Sequence, residues 1–101
     1  MNKIESEKLI EKNLCKEVKK IGGMAIKLLC NQFSGLPDRM CLFPNGIVVF
    51  VEVKTTGQKP RRLQTIVHEK IRALGFDVYI VDSNDKVNDI ILKYRTNNIV
   101  G

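Results

Sequence analysis

The sequence predicts an α/β domain in which a mixed β-sheet is flanked by helices. Its 101 residues, 44% of them hydrophobic, suffice for one modest core and are too few for two. Apolar residues recur at helical and strand spacing in the order helix, three strands, helix, strand, helix. A right-handed crossover through the second helix makes the third and fourth strands parallel. We therefore expect residues 1–101 to form a single domain.

The first helix is predicted to begin near Ser6 and to end at "IGG", where Gly22 and Gly23 follow the last apolar position. Its apolar stripe consists of Ile10, Leu14, Val18 and Ile21. The short apolar run 24–30 is stopped by the polar "NQFSG", which indicates the first strand.

A β-hairpin follows, built from "RMCLF" and "IVVFVEVK" around "PNG". Its loop is predicted as a type I turn centred on Pro44 and Asn45, with Gly46 in the left-handed position that follows. This three-residue loop pairs Phe43 with Ile47.

Counting outward from that pair sets Asp38 directly opposite Glu52. Cβ atoms of such cross-strand neighbours lie roughly 4.5 to 5.5 Å apart, where like charges oppose pairing unless a cation sits between them. The competing two-residue loop, Asn45-Gly46, sets Asp38 opposite Val53 instead. It leaves Pro44 at a paired position, so we favour the three-residue loop.

The second half of the chain predicts a helix, a strand and a short helix. Pro60 suits the first position of the second helix, and Gly75 suits the position just past its end. The stripe of this helix is Leu63, Val67, Ile71 and Leu74. "FDVYIVD" reads as the last strand, and Ser83 is predicted to cap the C-terminal helix.

Composition narrows the classes of function. A formal net charge of +6 suits a polyanionic partner, although a basic protein without such a partner has the same balance. One histidine and no C-x-x-C pair argue against a zinc site. No segment is long and apolar enough for a membrane span or a signal peptide, so we expect a cytoplasmic protein. With 6% aromatic residues and no tryptophan, duplex DNA is favoured over single strands.

Two acidic residues and a lysine stand among apolar neighbours at one end of the hairpin. Side-chain alternation puts Lys54 on the same face of its strand as Glu52. Adjacent carboxylates with a nearby lysine suit a hard divalent cation and a phosphate. The alternative is ordinary: Glu52 and Lys54 pair as edge charges, and Asp38 begins a turn after Pro37.

The chain resembles the VRR-NUC branch of the PD-(D/E)xK nucleases, in its stand-alone phage and bacterial form. "GLPDR", "FVEVK" and "RRLQ" carry the resemblance, and "IEKNL" and "ALGFDVYIVDS" extend it over nearly the whole chain. It implies a restriction-endonuclease-like αβββαβ core, with a mixed central sheet flanked by helices and a short C-terminal helix.

The resemblance also implies the roles of individual residues. Asp38 and Glu52 would ligate Mg²⁺ or Mn²⁺, with the Val53 carbonyl as a further ligand. Lys54 would orient the attacking water and steady the phosphate, and Gln64 would support the site from the second helix.

A glutamate of the first helix completes the site in the family, and the "IEKNL" match assigns this catalytic and metal-binding role to Glu11. Helical phase alone does not choose it, because Glu7 and Glu17 lie closer to the apolar stripe. A solvated helix charge is the alternative for Glu11.

Positive charge is concentrated in "QKPRR", just after the strand that carries Glu52. We expect Lys59, Arg61 and Arg62 to grip the DNA backbone, because a helix N-terminus also favours anions; a solvated loop is the alternative. His68, one turn beyond Gln64, could approach the site, but a surface histidine is the favoured interpretation and no catalytic role is assigned to it. Arg39 could contact nucleic acid or cover the core, and it is left unassigned.

The expected function is a divalent-metal-dependent, structure-specific DNA endonuclease acting on branched DNA such as four-way (Holliday) junctions, in a bacterial or phage-infected cell. Paired cuts on a twofold-symmetric junction call for a homodimer, which the resemblance also implies. Leu9 and Ile99 are candidates for its interface. The alternative is a non-catalytic or partner-dependent DNA-binding module of the same fold.

Overall fold

The computed structural model describes residues 3–95, which form three helices around a four-stranded sheet. The elements occur in the predicted order, and the predicted α/β fold with a mixed sheet is confirmed. In chain order they are α1 (Glu7–Lys20), β1 (Met24–Lys27), β2 (Arg39–Phe43), β3 (Ile47–Val53), α2 (Arg62–Ala73), β4 (Asp77–Val81) and α3 (Asn84–Tyr94).

The strands lie in the order β1-β2-β3-β4, so β1 and β4 are the edges. β1, β2 and β3 pair antiparallel, whereas β3 and β4 pair parallel because α2 carries the chain back across the sheet. The ends of β3 and β4 therefore meet the beginning of β2 at one edge of the molecule.

The hairpin register is the predicted one, with Phe43 opposite Ile47 and Arg39 opposite Val51 as the last pair. The predicted type I turn is wrong in its second central residue. Asn45 has φ +73°, and Gly46 has φ +75°, so two successive residues are left-handed. Asparagine is among the few non-glycine residues that tolerate this conformation, which lets the loop keep its length while changing its type.

Two element boundaries differ from the prediction. β1 ends at Lys27, and beyond it only the Leu28 N–H continues the ladder, by donating to the Asp38 carbonyl at 2.9 Å. α2 begins at Arg62 rather than at Pro60. The Arg61 N–H donates to Gln64 Oε1 at 2.8 Å, and this capping interaction marks the start of the helix.

The two faces of the sheet are covered differently. α1 and α3 lie over one face and enclose the main apolar core, in which Val49, Val51 and Val53 of β3 are fully buried. α2 lies over the other face, where it buries Glu52. Because side chains alternate along β3, the core and the buried carboxylate are on opposite sides of one strand.

The N-terminal segment ties the end of β3 to the start of α3. Glu5 and Thr56 exchange backbone and hydroxyl hydrogen bonds, and the Thr56 hydroxyl donates to the Asp82 carbonyl at 2.8 Å. The Glu5 carboxylate accepts from the Asn84 N–H at 2.8 Å and from its Nδ2 at 2.7 Å. The chain that leaves β3 with Lys54 is thereby anchored on both sides. Within residues 3–95, no helix is long and apolar enough to cross a membrane.

Candidate active site

Asp38 lies just before β2, beside the last residues of β3. Its Oδ2 accepts a 2.7 Å hydrogen bond from the Val53 N–H, at the point where backbone pairing between the two strands has stopped. Its carbonyl accepts from Leu28. Asp38 is therefore held by its backbone on one side and by its carboxylate on the other, next to the strand that carries Glu52.

Glu52 is 1% exposed, which is rare for a carboxylate. Its Oε2 accepts from Gln64 Nε2 at 2.8 Å and lies 3.2 Å from Lys54 Nζ. Its Oε1 is buried and has no hydrogen-bond partner among the described residues. Burial raises the pKa of Glu52, and the nearby charge of Asp38 raises it further, against the opposing effects of Lys54 and Gln64.

The side chain of Gln64 connects Glu52 to the beginning of α2. Its Oε1 accepts from the Arg61 N–H, and its Nε2 donates to Glu52. One amide thus caps the helix and orients the carboxylate, so the position of Glu52 depends on where α2 begins.

His68 is fully buried against the other side of Glu52, and its interpretation as a surface residue is wrong. Its Nε2 lies 3.7 Å from Glu52 Oε1, too far for a hydrogen bond, and both ring nitrogens are unpartnered among residues 3–95. Burial lowers the pKa of His68, as do the charges of Arg72 and Lys54, so the ring is neutral at neutral pH and gives Glu52 no counter-charge. Its spacing of four residues from Gln64 is the sequence signal by which it could approach the site.

Glu11 is engaged elsewhere. Its Oε2 accepts from Arg39 Nε at 2.7 Å and lies 3.4 Å from Lys27 Nζ, while Arg39 also donates to the Ala25 carbonyl at 3.0 Å. Arg39, left unassigned from sequence, therefore joins α1 to β1 and β2.

The structure does not gather Glu11 with Asp38 and Glu52. Across residues 3–95, no three His, Cys, Asp or Glu side chains converge on a point where they could hold a metal ion. Of the two other glutamates of α1, Glu17 lies 3.2 Å from Lys20 and Glu7 is exposed in the first turn. The acidic residues at the site are thus Asp38, just before β2, and Glu52 of β3.

The donor chemistry of this pair suits a hard divalent cation. The unpartnered Glu52 Oε1 and the raised pKa of this carboxyl both indicate negative charge that the protein alone does not balance. Mg²⁺ is commonly held by one or two carboxylates, with waters and substrate phosphates completing the shell.

The basic segment lies at the N-terminus of α2, where Lys59, Arg61 and Arg62 are all exposed. The partial positive charge of a helix N-terminus adds to these side chains. Of the three, Arg61 is connected to the buried carboxylate, because its N–H donates to the Gln64 side chain that in turn donates to Glu52.

Comparisons with known proteins find a similar sequence and a similar solved structure. The chain is 46% identical over 79 residues to "Putative nuclease p44" of Acyrthosiphon pisum secondary endosymbiont phage 1, covering 78% of the present chain and 85% of that protein. A solved structure described as "VRR_NUC domain" superposes with a TM-score of 0.81 and 32% identity, over 89% of this chain and 99% of that one. No family model matches the chain.

We predict that Glu52→Gln stabilises the metal-free protein at neutral pH. The pKa of Glu52 is higher in the folded protein than in the unfolded chain, so ionisation of Glu52 lowers the free energy of unfolding. This loss develops as the pH rises from the usual carboxyl range through the pKa of the folded protein. The gain should therefore be present at pH 7 and vanish below the pH at which the unfolded carboxyl is protonated. Thermal unfolding in EDTA from pH 4 to pH 8 measures it.

The matched control for this experiment is Glu69→Gln, since Glu69 is exposed and its pair with Arg72 lies on the surface of α2. We expect no comparable gain from it. A Glu52→Gln protein that is less stable than the wild type at pH 7 would contradict the account of an unbalanced buried charge.

Proposed function

The chain belongs to the VRR-NUC family of nucleases, and we propose that it is a divalent-metal-dependent endonuclease that hydrolyses phosphodiester bonds in branched DNA. One observation carries the proposal: the Glu52 carboxylate is buried within the influence of the Asp38 charge, with Lys54 on one oxygen and no hydrogen-bond partner among residues 3–95 for the other. A protein keeps such a charge out of water at a cost in stability, and an active site is where that cost is commonly met.

In this proposal Asp38, Glu52 and the Val53 carbonyl hold Mg²⁺ or Mn²⁺. The ion, when bound, makes its water a stronger nucleophile at neutral pH and balances charge that builds on the phosphate. Glu11 would join the ligands only by exchanging its hydrogen bond from Arg39 for the cation. We therefore give it a secondary role, which Glu11→Gln tests.

The chain's own residues do the positioning. Lys54 is 15% exposed in its side chain and stands 3.2 Å from Glu52 Oε2, which leaves its ammonium able to steady a phosphate oxygen or the attacking water. Gln64 keeps the Glu52 carboxylate in one orientation through the capping interaction with Arg61. Neutral His68 closes the back of the site to water.

Lys59, Arg61 and Arg62 would contact the phosphate backbone next to the cut. They are exposed beside a helix N-terminus, and the chain as a whole carries a charge of +6. Contacts of this kind fix the register of a protein on DNA without reading its sequence.

We further propose that the protein acts as a homodimer on four-way junctions, in the cytoplasm of a bacterial or phage-infected cell. The proposed site cuts one strand, so paired symmetric cuts need two copies, and a twofold dimer matches the symmetry of a junction. Leu9 of α1, which is 60% exposed, is available for an interface. Ile99, the other candidate, lies outside the described residues.

Asp38→Asn and Glu52→Gln should each abolish cleavage of branched DNA in Mg²⁺ or Mn²⁺, because each removes the charge of a metal ligand. We expect a loss of at least about a hundredfold in rate, the scale on which removal of one preorganised charge acts. Glu69→Gln serves as the control, and EDTA should stop the wild type. Binding of the same DNA by both variants, without cleavage, would separate lost chemistry from lost fold.

If one of these variants retains both turnover and metal affinity, the ligand assignment is wrong. A wild-type protein that binds branched DNA tightly in Mg²⁺ and Mn²⁺ but cuts none would favour the non-catalytic or partner-dependent module.

Arg61→Ala combined with Arg62→Ala should weaken DNA binding regardless of sequence and flatten its dependence on salt. The logarithmic slope is expected to fall by about 2, since roughly one counterion is released for each phosphate contact. The matched control is Lys19→Ala with Lys20→Ala, which removes the same charge from the last turn of α1. If the salt dependence of DNA binding has the same slope for both double variants, Arg61 and Arg62 are solvated residues that do not contact the phosphates.

The wild-type protein should sediment as a dimer at micromolar concentration and cut four-way junctions faster than flaps, forks or linear duplex. The physical reason is that two sites and two basic surfaces then act on one symmetric substrate. Sedimentation velocity and a panel of these four DNAs provide the measurement. A monomer that nicks linear duplex as readily as junctions would refute the dimer and the substrate preference, and would leave the metal chemistry intact.

A further inference from the structure

A groove runs beside the candidate active site, between the connection from β1 to β2 and the first turn of α2. Its volume is about 350 Å³, within the range of sites that hold small organic groups. We call it the connection groove and define it by Leu29, Phe33, Gly35, Leu36, Arg61 and Gln64, all of which line it.

One wall of the connection groove is apolar and open to solvent. Leu29 is 82% exposed and Phe33 is 50% exposed. Single exposed hydrophobic residues are common on protein surfaces, but here two of them line the same concavity. From the sequence we expected duplex DNA rather than single strands, because no aromatic stacking platform was evident. In the structure, Phe33 supplies one flat ring at this position.

The other wall is polar and continuous with the site. Gln64 lines the groove and donates to Glu52, and the exposed Arg61 stands at the N-terminus of α2. A phosphate bound beside Glu52 would therefore have its neighbouring nucleotide at the mouth of the groove.

Gly35 fixes the distance between the two walls. A Cβ there would lie 2.9 Å from Val67 Cγ2 and 3.0 Å from the Leu63 carbonyl oxygen, and the residue has φ +89°. Only glycine lets the connection press so closely on α2. The groove is thus formed by packing against the helix before any ligand arrives.

We propose that the connection groove receives the nucleobase adjacent to the scissile phosphate, swung out of the helical stack, with Phe33 against its flat face and Arg61 near the adjoining phosphate. A nucleotide fits both walls, because it carries a planar base and an anionic group a few bonds apart. This inference rests on the proposed nuclease function, and it specifies which feature of the DNA the site selects.

The free energies of unstacking and stacking give the groove a preference among DNA structures. Unstacking a paired base costs about as much free energy as stacking it on one aromatic side chain returns. The exchange is nearly neutral for a paired base and favourable for a base already unpaired at a branch, bulge or mismatch. The groove therefore favours DNA in which the nucleotide beside the cut is unpaired.

Cleavage of two matched DNAs tests this selectivity. The cut position is first mapped with wild-type protein, and the nucleotide beside it is then either paired or left unpaired. We expect the wild type to cut the unpaired form roughly tenfold faster, and Phe33→Ala to lower that ratio to about one. Phe33→Leu keeps apolar bulk without the ring and should behave as Phe33→Ala does.

The matched control is Leu92→Ala, which truncates an apolar side chain that is 59% exposed on α3, across the sheet from α2. It should keep the wild-type ratio. Equal ratios for wild type, Phe33→Ala and Phe33→Leu would overturn the proposal while leaving the nuclease function in place. A wild-type ratio in Phe33→Leu would overturn the stacking role of the ring.

A crosslinking experiment tests, without cleavage, whether the unpaired base lies in the connection groove. DNA carrying 5-iodouracil as its single unpaired nucleotide is bound to the Glu52→Gln protein, irradiated, and the crosslinked peptide is identified by mass spectrometry. We expect the crosslink within residues 29–36, and its loss in the added Phe33→Ala variant. A crosslink on another element would refute the groove. If the wild type cuts no DNA at all, the proposed chemistry fails, and this crosslink still tests the groove by itself.

Discussion

The burial of the Glu52 carboxylate is the constraint on which the arrangement of the site depends. A charge that is 1% exposed needs partners, and the protein supplies them from two directions: Gln64 from α2, and Lys54 from just beyond the end of β3. Both approach the same oxygen, and the other oxygen is left without a partner among the described residues. Asp38 adds like charge instead of relieving it. This part of the fold is therefore under electrostatic tension that an oxygen-seeking cation would release.

The carboxylate is held in place because the other face of β3 is packed in the buried core. Val51 and Val53, on either side of Glu52, are buried in the core beneath α1 and α3. A shift of the carboxylate would require these valines to leave their packed positions. Placing functional groups on strands whose opposite face is core is a general way to hold them in a defined geometry. α2 contributes the second fixed point, since the Gln64 amide binds both its N-terminus and Glu52.

Side-chain alternation also divides the acidic residues into two groups. Asp38 turns its carboxylate to the Val53 N–H, whereas its neighbour Arg39 points to α1 and binds Glu11. The charge of Glu11 is thus used to attach the first helix to β1 and β2, close to the site but not in it. The family relationship establishes a nuclease fold, and the local geometry shows which carboxylates lie together in it.

The sequence by itself determined the order of the elements, the hairpin register and the pairing of β3 with β4, because these follow from local periodicity, loop length and the handedness of a crossover. It also brought Asp38 and Glu52 together at one end of the central strands through that register. Only the tertiary structure decided that α2 begins at Arg62, that His68 is buried behind Glu52, that Glu11 binds Arg39, and that Phe33 lines a groove. Each of these depends on how a helix or a connection packs against a distant part of the chain. Spacing along one segment does not fix such contacts, even where, as for His68 and Gln64, it puts two residues on one side of a helix.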